Sequence, residues 1–180
     1  MKYILKPTVT LLIIAVAVAG LLGAVYSLTR EPAERQLMKT REAVKSEVLP
    51  GAVSFVEIFG EFSENILSVY EAYNDGGSHA GYVIELLAEG YGGPISLMAG
   101  FSAGSISGVR IMRHSETPGL GALITSENFY KQYEGKKIAP LTVVRSGALE
   151  NEIDAITGAT ISARAVTNAV NEGVEWVAGN

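Results

Sequence analysis

The sequence predicts an α+β protein: one domain with a mixed or antiparallel sheet and flanking helices, preceded by a single transmembrane helix. Three observations support this prediction. An uncharged stretch, PTVTLLIIAVAVAGLLGAVYSLT, follows Lys6. Several short runs rich in Val, Ile, Phe and Tyr come next, separated by turns that contain glycine, which is typical of a sheet of short strands. The last run, from Ile161 to Val177, has apolar residues at helical spacing.

The uncharged stretch predicts a membrane anchor. About 20 helical residues span a hydrocarbon core of roughly 30 Å, whereas the apolar core of a cleaved signal peptide, the alternative, has about 7–15 residues. We therefore interpret residues 1–30 as a cytoplasmic N-terminus and transmembrane anchor. Lys2 and Lys6 precede the span, and the segment REPAER after it is balanced in charge. The positive-inside rule then predicts a single-pass protein of the cell (inner) membrane with its C-terminal domain outside the cytoplasm.

The remaining chain divides into a connecting helix and a domain. Residues 31–51 are predicted to be the connecting helix, with Pro32 in its first turn and Pro50-Gly51 at its end. Residues 52–180 are predicted to form the extracytoplasmic domain. Its expected strands are VSFVEIF, ILSVYEAYN, AGYVIELLAEG, ISLMAGFS, ISGVRIMRH and PLTVVRS, and its expected helices are Ser126–Tyr133 and Ile161–Val177.

Composition excludes several classes of function. The chain has no cysteine, so disulfides, thiolate catalysis and cysteine-ligated clusters are absent. Its two histidines are poor material for a metal site, and we expect none. The formal net charge is -5, and all 19 Asp and Glu residues lie after residue 30. Nucleic acid is therefore not an expected partner, because phosphate backbones are bound by clustered positive charge.

The segment DAITGATISARAV, Asp154–Val166, predicts an anion site at the start of a helix. Gly158 permits a sharp backbone turn, and the small Ala159 leaves the first helical amides accessible. Those amides, beside the positive end of the helix dipole, form a ready phosphate site. Asp154 would repel phosphate, and we expect it to brace the turn by accepting amide hydrogen bonds. The alternative is an ordinary helix start capped by the hydroxyl of Thr157 or Thr160.

Two further segments are rich in glycine. HSETPGLG, which begins at His114, could lie flat against a planar ligand, with Leu120 packed on a ring face. GYGGPI, which begins at Gly90, invites close backbone approach. Each is also compatible with a plain turn between elements. Neither a GxGxxG segment between a strand and a helix nor a GxxxxGK[ST] segment occurs, which argues against Rossmann and P-loop nucleotide binding.

The order GYGGPI, ETPGLG and DAITGAT behind one N-terminal span resembles the FMN-binding domain family. More narrowly, it resembles the G subunits of Rnf complexes, the ion-translocating ferredoxin:NAD oxidoreductases. In that family the last threonine of [ST]-G-A-T is joined to FMN through a phosphoester, made by a separate flavin transferase. On this motif the resemblance implies that Thr160 holds FMN covalently and that Thr157 stands where many members have Ser. The cofactor-binding residues that it implies are Thr160, Thr157, Gly158, Ala159 and Asp154 around the phosphate, with Thr117, Gly119, Leu120, Gly121, Gly92 and Gly93 along the flavin.

The resemblance implies an electron-transfer subunit of an Rnf-type complex. FMN does the chemistry in such a subunit, so no catalytic residue and no independent enzymatic activity are expected. The expected partners are the other membrane subunits, the flavin transferase and membrane lipid. Two alternatives remain: the C subunit of a sodium-pumping NADH:quinone reductase, and a membrane-anchored ligand-binding or scaffold module without redox activity.

Overall fold

The computed structural model describes residues 2–180, with side chains described at residues 7–30 and 38–180. The chain divides into two compact units, one ending at Glu42 and the other comprising Ala43–Asn180. The helices are α1 (Lys2–Val48), α2 (Glu127–Tyr130) and α3 (Thr160–Gly179), with 3₁₀ turns at Gly121–Thr125 and Lys131–Tyr133. The strands are β1 (Ser54–Ile58), β2 (Ile66–Tyr73), β3 (His79–Glu89), β4 (Pro94–Ser102), β5 (Ser105–Arg113), β6 (Thr142–Val144) and β7 (Glu152–Asp154).

The first unit contains the predicted anchor. Within α1, Pro7–Arg30 is the one stretch among the described residues that is long and apolar enough to cross a membrane. Its side chains are exposed. The hydroxyls of Ser27 and Thr29 donate hydrogen bonds to the carbonyls of Ala24 and Val25, at 2.9 and 2.8 Å. Such polar groups are satisfied within the helix itself, as a lipid environment requires.

The connecting helix differs from the prediction. The sequence suggested a new helix with Pro32 in its first turn, whereas α1 continues without a break from the anchor to Val48. A proline within a helix removes one backbone hydrogen bond, and the helix can propagate on both sides of it. A proline in the first turn of a new helix and a proline inside a continuous helix therefore have the same local sequence. The predicted end, before Pro50-Gly51, agrees with the structure to within two residues.

The second unit is built on a five-stranded antiparallel meander in the order β1-β2-β3-β4-β5. Strands β2 and β3 are joined by the predicted Asn-Asp-Gly-Gly turn, in which the amide of Gly77 donates to the carbonyl of Asn74 at 2.9 Å. The α+β prediction and all six predicted strands are confirmed. The sequence analysis missed β7, which pairs in parallel with β6. This strand has three residues, of which only Ile153 is buried, so it has no detectable periodicity.

The sheet has an apolar core on each face. On one face, α3 packs over the centre of the sheet, and a Cβ on Gly173 would lie 2.8 Å from Phe101 Cζ. The close approach therefore requires glycine at this position. On the other face, the end of α1 and the turn after it contribute Val48 and Leu49 to a second cluster with sheet residues such as Met98. The first core fixes α3, and with it the site described below.

A buried pair of hydroxyls joins α3 to the 3₁₀ turn Lys131–Tyr133. The Tyr133 side chain is fully buried, and its hydroxyl lies 2.7 Å from the hydroxyl of Thr167, which donates to the carbonyl of Ala163 at 2.9 Å. Burial raises the pKa of the Tyr133 phenol, so this group stays protonated and acts as the donor of the pair.

We expect Thr167→Val to lower the free energy of unfolding by about 1–3 kcal/mol, because it leaves the buried Tyr133 hydroxyl without a partner. Thr167→Ser, which keeps the hydroxyl, should cost less. Urea unfolding of the two variants measures the difference. Equal stability of Val and Ser at position 167 would contradict this account of the pair.

Candidate functional site

A cavity of about 460 Å³ opens at the N-terminal end of α3. Its volume is within the range of about 300–1,000 Å³ that is usual for small-molecule sites. Three segments distant in sequence meet there: the loop of the β3–β4 hairpin, the loop after β5 and the start of α3. The cofactor-site residues predicted from the sequence that line it are Thr117, Leu120, Gly121, Gly158, Ala159 and Thr160.

Other predicted site residues lie outside this lining, in the supporting loops. Gly92 and Gly93 belong to the β3–β4 hairpin loop, which closes with a hydrogen bond from the amide of Gly90 to the carbonyl of Gly93 at 3.1 Å. Gly119, with φ of +78°, occupies the position of a type II turn that favours glycine, after Pro118. Thr157 is exposed in the turn before α3. The contact of these residues with a cofactor stays a prediction.

Asp154 faces a different cavity, of about 420 Å³, which is also lined by Gln132. Its carboxylate accepts a hydrogen bond from the amide of Ala148 at 2.8 Å, and its own amide donates to Gln132 Oε1 at 2.7 Å. The expected amide hydrogen bond is thus present, but its donor belongs to the loop before β7 and not to the turn around Gly158. Asp154 fixes the strand from which that turn departs.

The first turn of α3 presents unpaired amides to the main cavity. The helix is preceded by Ala159, and no side chain caps it. The amide of Ala163 is the first to bond within the helix, to the carbonyl of Ala159 at 3.1 Å. The three amides before it, at 160–162, lack an intrahelical acceptor, as in any helix start. Neither Thr157 nor Thr160 caps the helix, so the alternative prediction is wrong. The amides are available to an anion.

Glu116 is the polar centre of the cavity wall. Its side chain is buried, with 5% of its surface exposed. One carboxylate oxygen accepts from the amide of Gly92 at 3.0 Å, and the other accepts from the hydroxyl of Ser162 at 2.8 Å. This single carboxylate thereby joins the β3–β4 loop, its own loop after β5, and the first turn of α3.

The glycines of the two loops make room for this carboxylate. A Cβ on Gly90 would collide with one oxygen of Glu116, and a Cβ on Gly121 with the other. The Cβ on Gly121 would also lie 2.8 Å from Ser162 Oγ. The glycines of GYGGPI and ETPGLG were predicted to allow close approach to a ligand. At Gly90 and Gly121, glycine also makes room for the Glu116 side chain.

The rim of the cavity is apolar and exposed. The side chains of Tyr91, Leu120 and Ile161 are 74%, 46% and 57% exposed. They come from each of the three segments that form the site. At the entrance, a Cβ on Gly158 would lie 3.1 Å from Leu120 Cδ2. A larger residue at 158 would therefore crowd the Leu120 side chain at the opening.

The residues present fit FMN, the cofactor implied by the resemblance. The free amides at the start of α3 suit the phosphate, and the apolar rim suits one face of an aromatic ring system. Thr160 is an exposed residue of this first turn. In the part of the chain whose side chains are described, no three His, Asp or Glu residues are grouped as a metal site would require.

Sequence reasoning missed four residues that line the cavity: Tyr91, Glu116, Ile161 and Ser162. Glu116 is the first residue of the quoted ETPGLG segment, and Ser162 follows Thr160 by two positions. A polar residue at the edge of a glycine-rich segment was the available signal. That signal does not identify the two hydrogen-bond donors of the Glu116 carboxylate, because Gly92 and Ser162 belong to other segments.

Comparison with known proteins identifies the family of this chain. The model of the FMN-binding domain family matches residues 90–175, which include the whole cavity lining. The chain is 36% identical over 183 residues to the G subunit of the ion-translocating oxidoreductase complex of Methanosarcina acetivorans, covering 98% of this chain and 95% of that protein. It is 32% identical over 158 residues to the G subunit of the proton-translocating ferredoxin:NAD(+) oxidoreductase complex of Clostridium ljungdahlii, covering 87% and 82%.

A solved structure shares the fold. The crystal structure of Shewanella oneidensis NqrC matches with a TM-score of 0.55 at 22% identity, covering 69% of this chain and 67% of that one. At this identity the likeness concerns the fold alone. The relatives that match nearly end to end are G subunits, and the extent of that match decides the assignment. This chain belongs to the family of G subunits of ion-translocating oxidoreductase complexes and contains an FMN-binding domain.

Proposed function

We propose that this protein is an electron-transfer subunit of a membrane-bound, ion-translocating ferredoxin:NAD oxidoreductase of the Rnf type, with FMN joined to Thr160 through a phosphoester. Two findings support the electron-transfer role: the relatives are subunits of ion-translocating oxidoreductase complexes, and the chain contains an FMN-binding domain. The single observation that best supports the attachment point is an exposed threonine hydroxyl on the uncapped first turn of α3, at the mouth of the cavity.

Thr160 is the best placed of the hydroxyls in the cavity lining, which also includes Thr117 and Ser162. Ser162 is 1% exposed, and its hydroxyl is already engaged by Glu116. Thr117 belongs to the loop after β5 and not to the first turn of α3, and its carbonyl closes the turn by accepting from the amide of Leu120 at 3.2 Å. Only Thr160 combines an accessible hydroxyl with amides that can stabilise the charge of a phosphodiester.

The roles of the chain's own residues follow from this placement. When bound, FMN supplies the reversible uptake and release of electrons, which side chains cannot provide. The amides at 160–162 hold the phosphate, and Gly158 keeps the entrance open. The apolar rim formed by Leu120, Tyr91 and Ile161 would pack against the ring system of bound FMN and limit its contact with water. The covalent joint prevents loss of the cofactor outside the cytoplasm, where it is not readily resupplied.

The membrane arrangement belongs to the same proposal. Residues 1–30 form the cytoplasmic N-terminus and anchor in the cell membrane, 31–51 connect, and 52–180 form the extracytoplasmic FMN-binding domain. The apolar stretch Pro7–Arg30 and the lysines before it support this orientation. The partners are the other membrane subunits of the complex, surrounding lipid, and a flavin transferase that attaches FMN.

Peptide mapping of the protein from its native membrane complex tests the attachment. Trypsin releases the segment 146–164, which follows Arg145, ends at Arg164 and contains Thr157, Thr160 and Ser162. We expect its mass to increase by that of FMN less one water, with fragmentation assigning the addition to Thr160. An unmodified segment from a fully active complex would refute the covalent linkage, and an addition at Thr157 would refute its position.

A further inference from the structure

Glu116 has a property that bracing the cavity does not explain. We propose that its carboxylate is a fixed negative charge that lowers the reduction potential of the bound FMN, in addition to positioning the three segments of the site. This inference rests on the proposed function, because it concerns FMN in the cavity at the start of α3. It assigns a role to a residue whose carboxylate meets the first turn of α3 through Ser162, two positions beyond the Thr160 attachment point.

The Glu116 carboxylate is buried without a compensating cation among the residues whose side chains are described. Its side chain is 5% exposed, and among the described residues no Lys, Arg or His lies within ion-pair distance of it. Its hydrogen-bond partners, the amide of Gly92 and the hydroxyl of Ser162, are both neutral. Burial of a carboxylate without a cation is costly in free energy, because the charge loses its hydration. A neutral residue would avoid this cost.

Hydrogen bonding alone does not require a carboxylate at position 116. A glutamine at position 116 could accept from the Gly92 amide through its carbonyl oxygen. Its amide could donate to Ser162 Oγ, because a hydroxyl can act in either direction. The three segments would then be joined as before. What glutamine cannot supply is the charge, so the charge is the feature that bracing leaves unexplained.

Glu116 also lies where its charge would act on a cofactor bound in the cavity. Glu116 lines the same cavity as Thr160, Leu120 and Gly121, and its side chain is largely shielded from solvent. A charge in a partly desolvated site acts more strongly than one at the surface, because water screens it less. An electron added to the flavin increases negative charge beside Glu116. Repulsion between the two opposes reduction and lowers the potential.

The test compares two isosteric variants of the full-length protein, each produced with a flavin transferase. Glu116→Gln removes the charge. Glu172→Gln is the matched control, because Glu172 also accepts two hydrogen bonds, from Ser63 Oγ at 2.9 Å and Asn65 Nδ2 at 2.7 Å. Glu172 lies on α3, as Ser162 does, but about 15 Å farther along the helix axis at roughly 1.5 Å per residue.

We expect spectroelectrochemical titration to give a higher FMN midpoint potential in Glu116→Gln than in the wild type, and an unchanged value in Glu172→Gln. Urea unfolding of the flavin-free proteins should show a similar modest loss of stability in both variants. An unshifted potential in flavin-loaded Glu116→Gln would overturn the inference. An equal upward shift in the Glu172 control would overturn it as well, since the effect would not depend on the cavity.

Loading of the variants gives the remaining outcomes. If Glu116→Gln takes up no FMN, Glu116→Asp provides the rescue: loading restored by aspartate would assign the role to charge, whereas loading lost in both would overturn the charge role. Failure of the proposed function is distinguishable from these results. It would appear as wild-type protein without covalent FMN, whereas failure of this inference leaves the wild type loaded.

Discussion

Thr160→Val abolishes covalent flavinylation: we expect no FMN to remain on the denatured full-length protein. Valine has nearly the volume of threonine but lacks the hydroxyl oxygen that forms the phosphoester. The first turn of α3 does not use this hydroxyl as a cap, so its loss should leave the helix intact. Each protein is produced with a flavin transferase, and flavin is detected by fluorescence on a denaturing gel and by intact mass.

Three variants control for indirect effects. Thr160→Ser keeps a hydroxyl on the same turn and should retain covalent FMN. Thr117→Val removes the hydroxyl of another cavity residue, and Thr157→Val removes the nearby exposed one; both should be loaded as the wild type is. Covalent FMN on Thr160→Val would show that the phosphoester is elsewhere.

Gly81→Ala should destabilise the domain more than the other substitutions considered, by more than about 3 kcal/mol. Gly81 lies in β3 with φ of +146°, a backbone conformation that side chains disfavour. A Cβ there would collide with the carbonyl oxygen of Phe101 and lie 3.2 Å from Ser102 Cα on the neighbouring strand β4. Relief requires the β3–β4 pairing to open, because backbone cannot rotate aside as a side chain can. Such overpacking adds to the strain.

Gly77→Ala gives the cost of a positive φ without a collision. Gly77 has φ of +71° in the turn before β3, and a Cβ on it would meet nothing within 4 Å. It should cost about 1 kcal/mol, from the left-handed backbone alone. Chemical denaturation of both variants measures the two values. Equal destabilisation by the two alanines would mean that the contact with β4 contributes nothing.

The sequence predicted the fold where a local signal was present. The strands β1–β5 have β-branched and aromatic residues bounded by glycine turns, and each was placed to within a few residues. The start of α3 was placed to within one residue of Thr160. The continuity of α1 through Pro32 was not predicted, because a proline at a helix start and one inside a helix have the same local sequence. The short β7 exists only because β6 lies beside it.

The candidate site was predicted in part for the same reason. Six of the predicted residues meet in one cavity, and the turn before Thr160 signalled an anion site by its own composition. Asp154 was expected to brace that turn, but its carboxylate accepts a hydrogen bond from the amide of Ala148, which lies in a separate loop. Glu116 was not singled out, because its partners Gly92 and Ser162 are 24 and 46 positions away in sequence.

The amino-acid sequence by itself determined the apolar span, the alternation that makes the strands, and the small residues of the turn before α3. These depend on neighbours along the chain, whose spacing is set by covalent geometry. Only the tertiary structure decided that one buried carboxylate joins three segments, that glycines at 90 and 121 make room for it, and which hydroxyl remains accessible. Those features depend on which distant residues the sheet and α3 bring together, and that is settled by packing of the whole core.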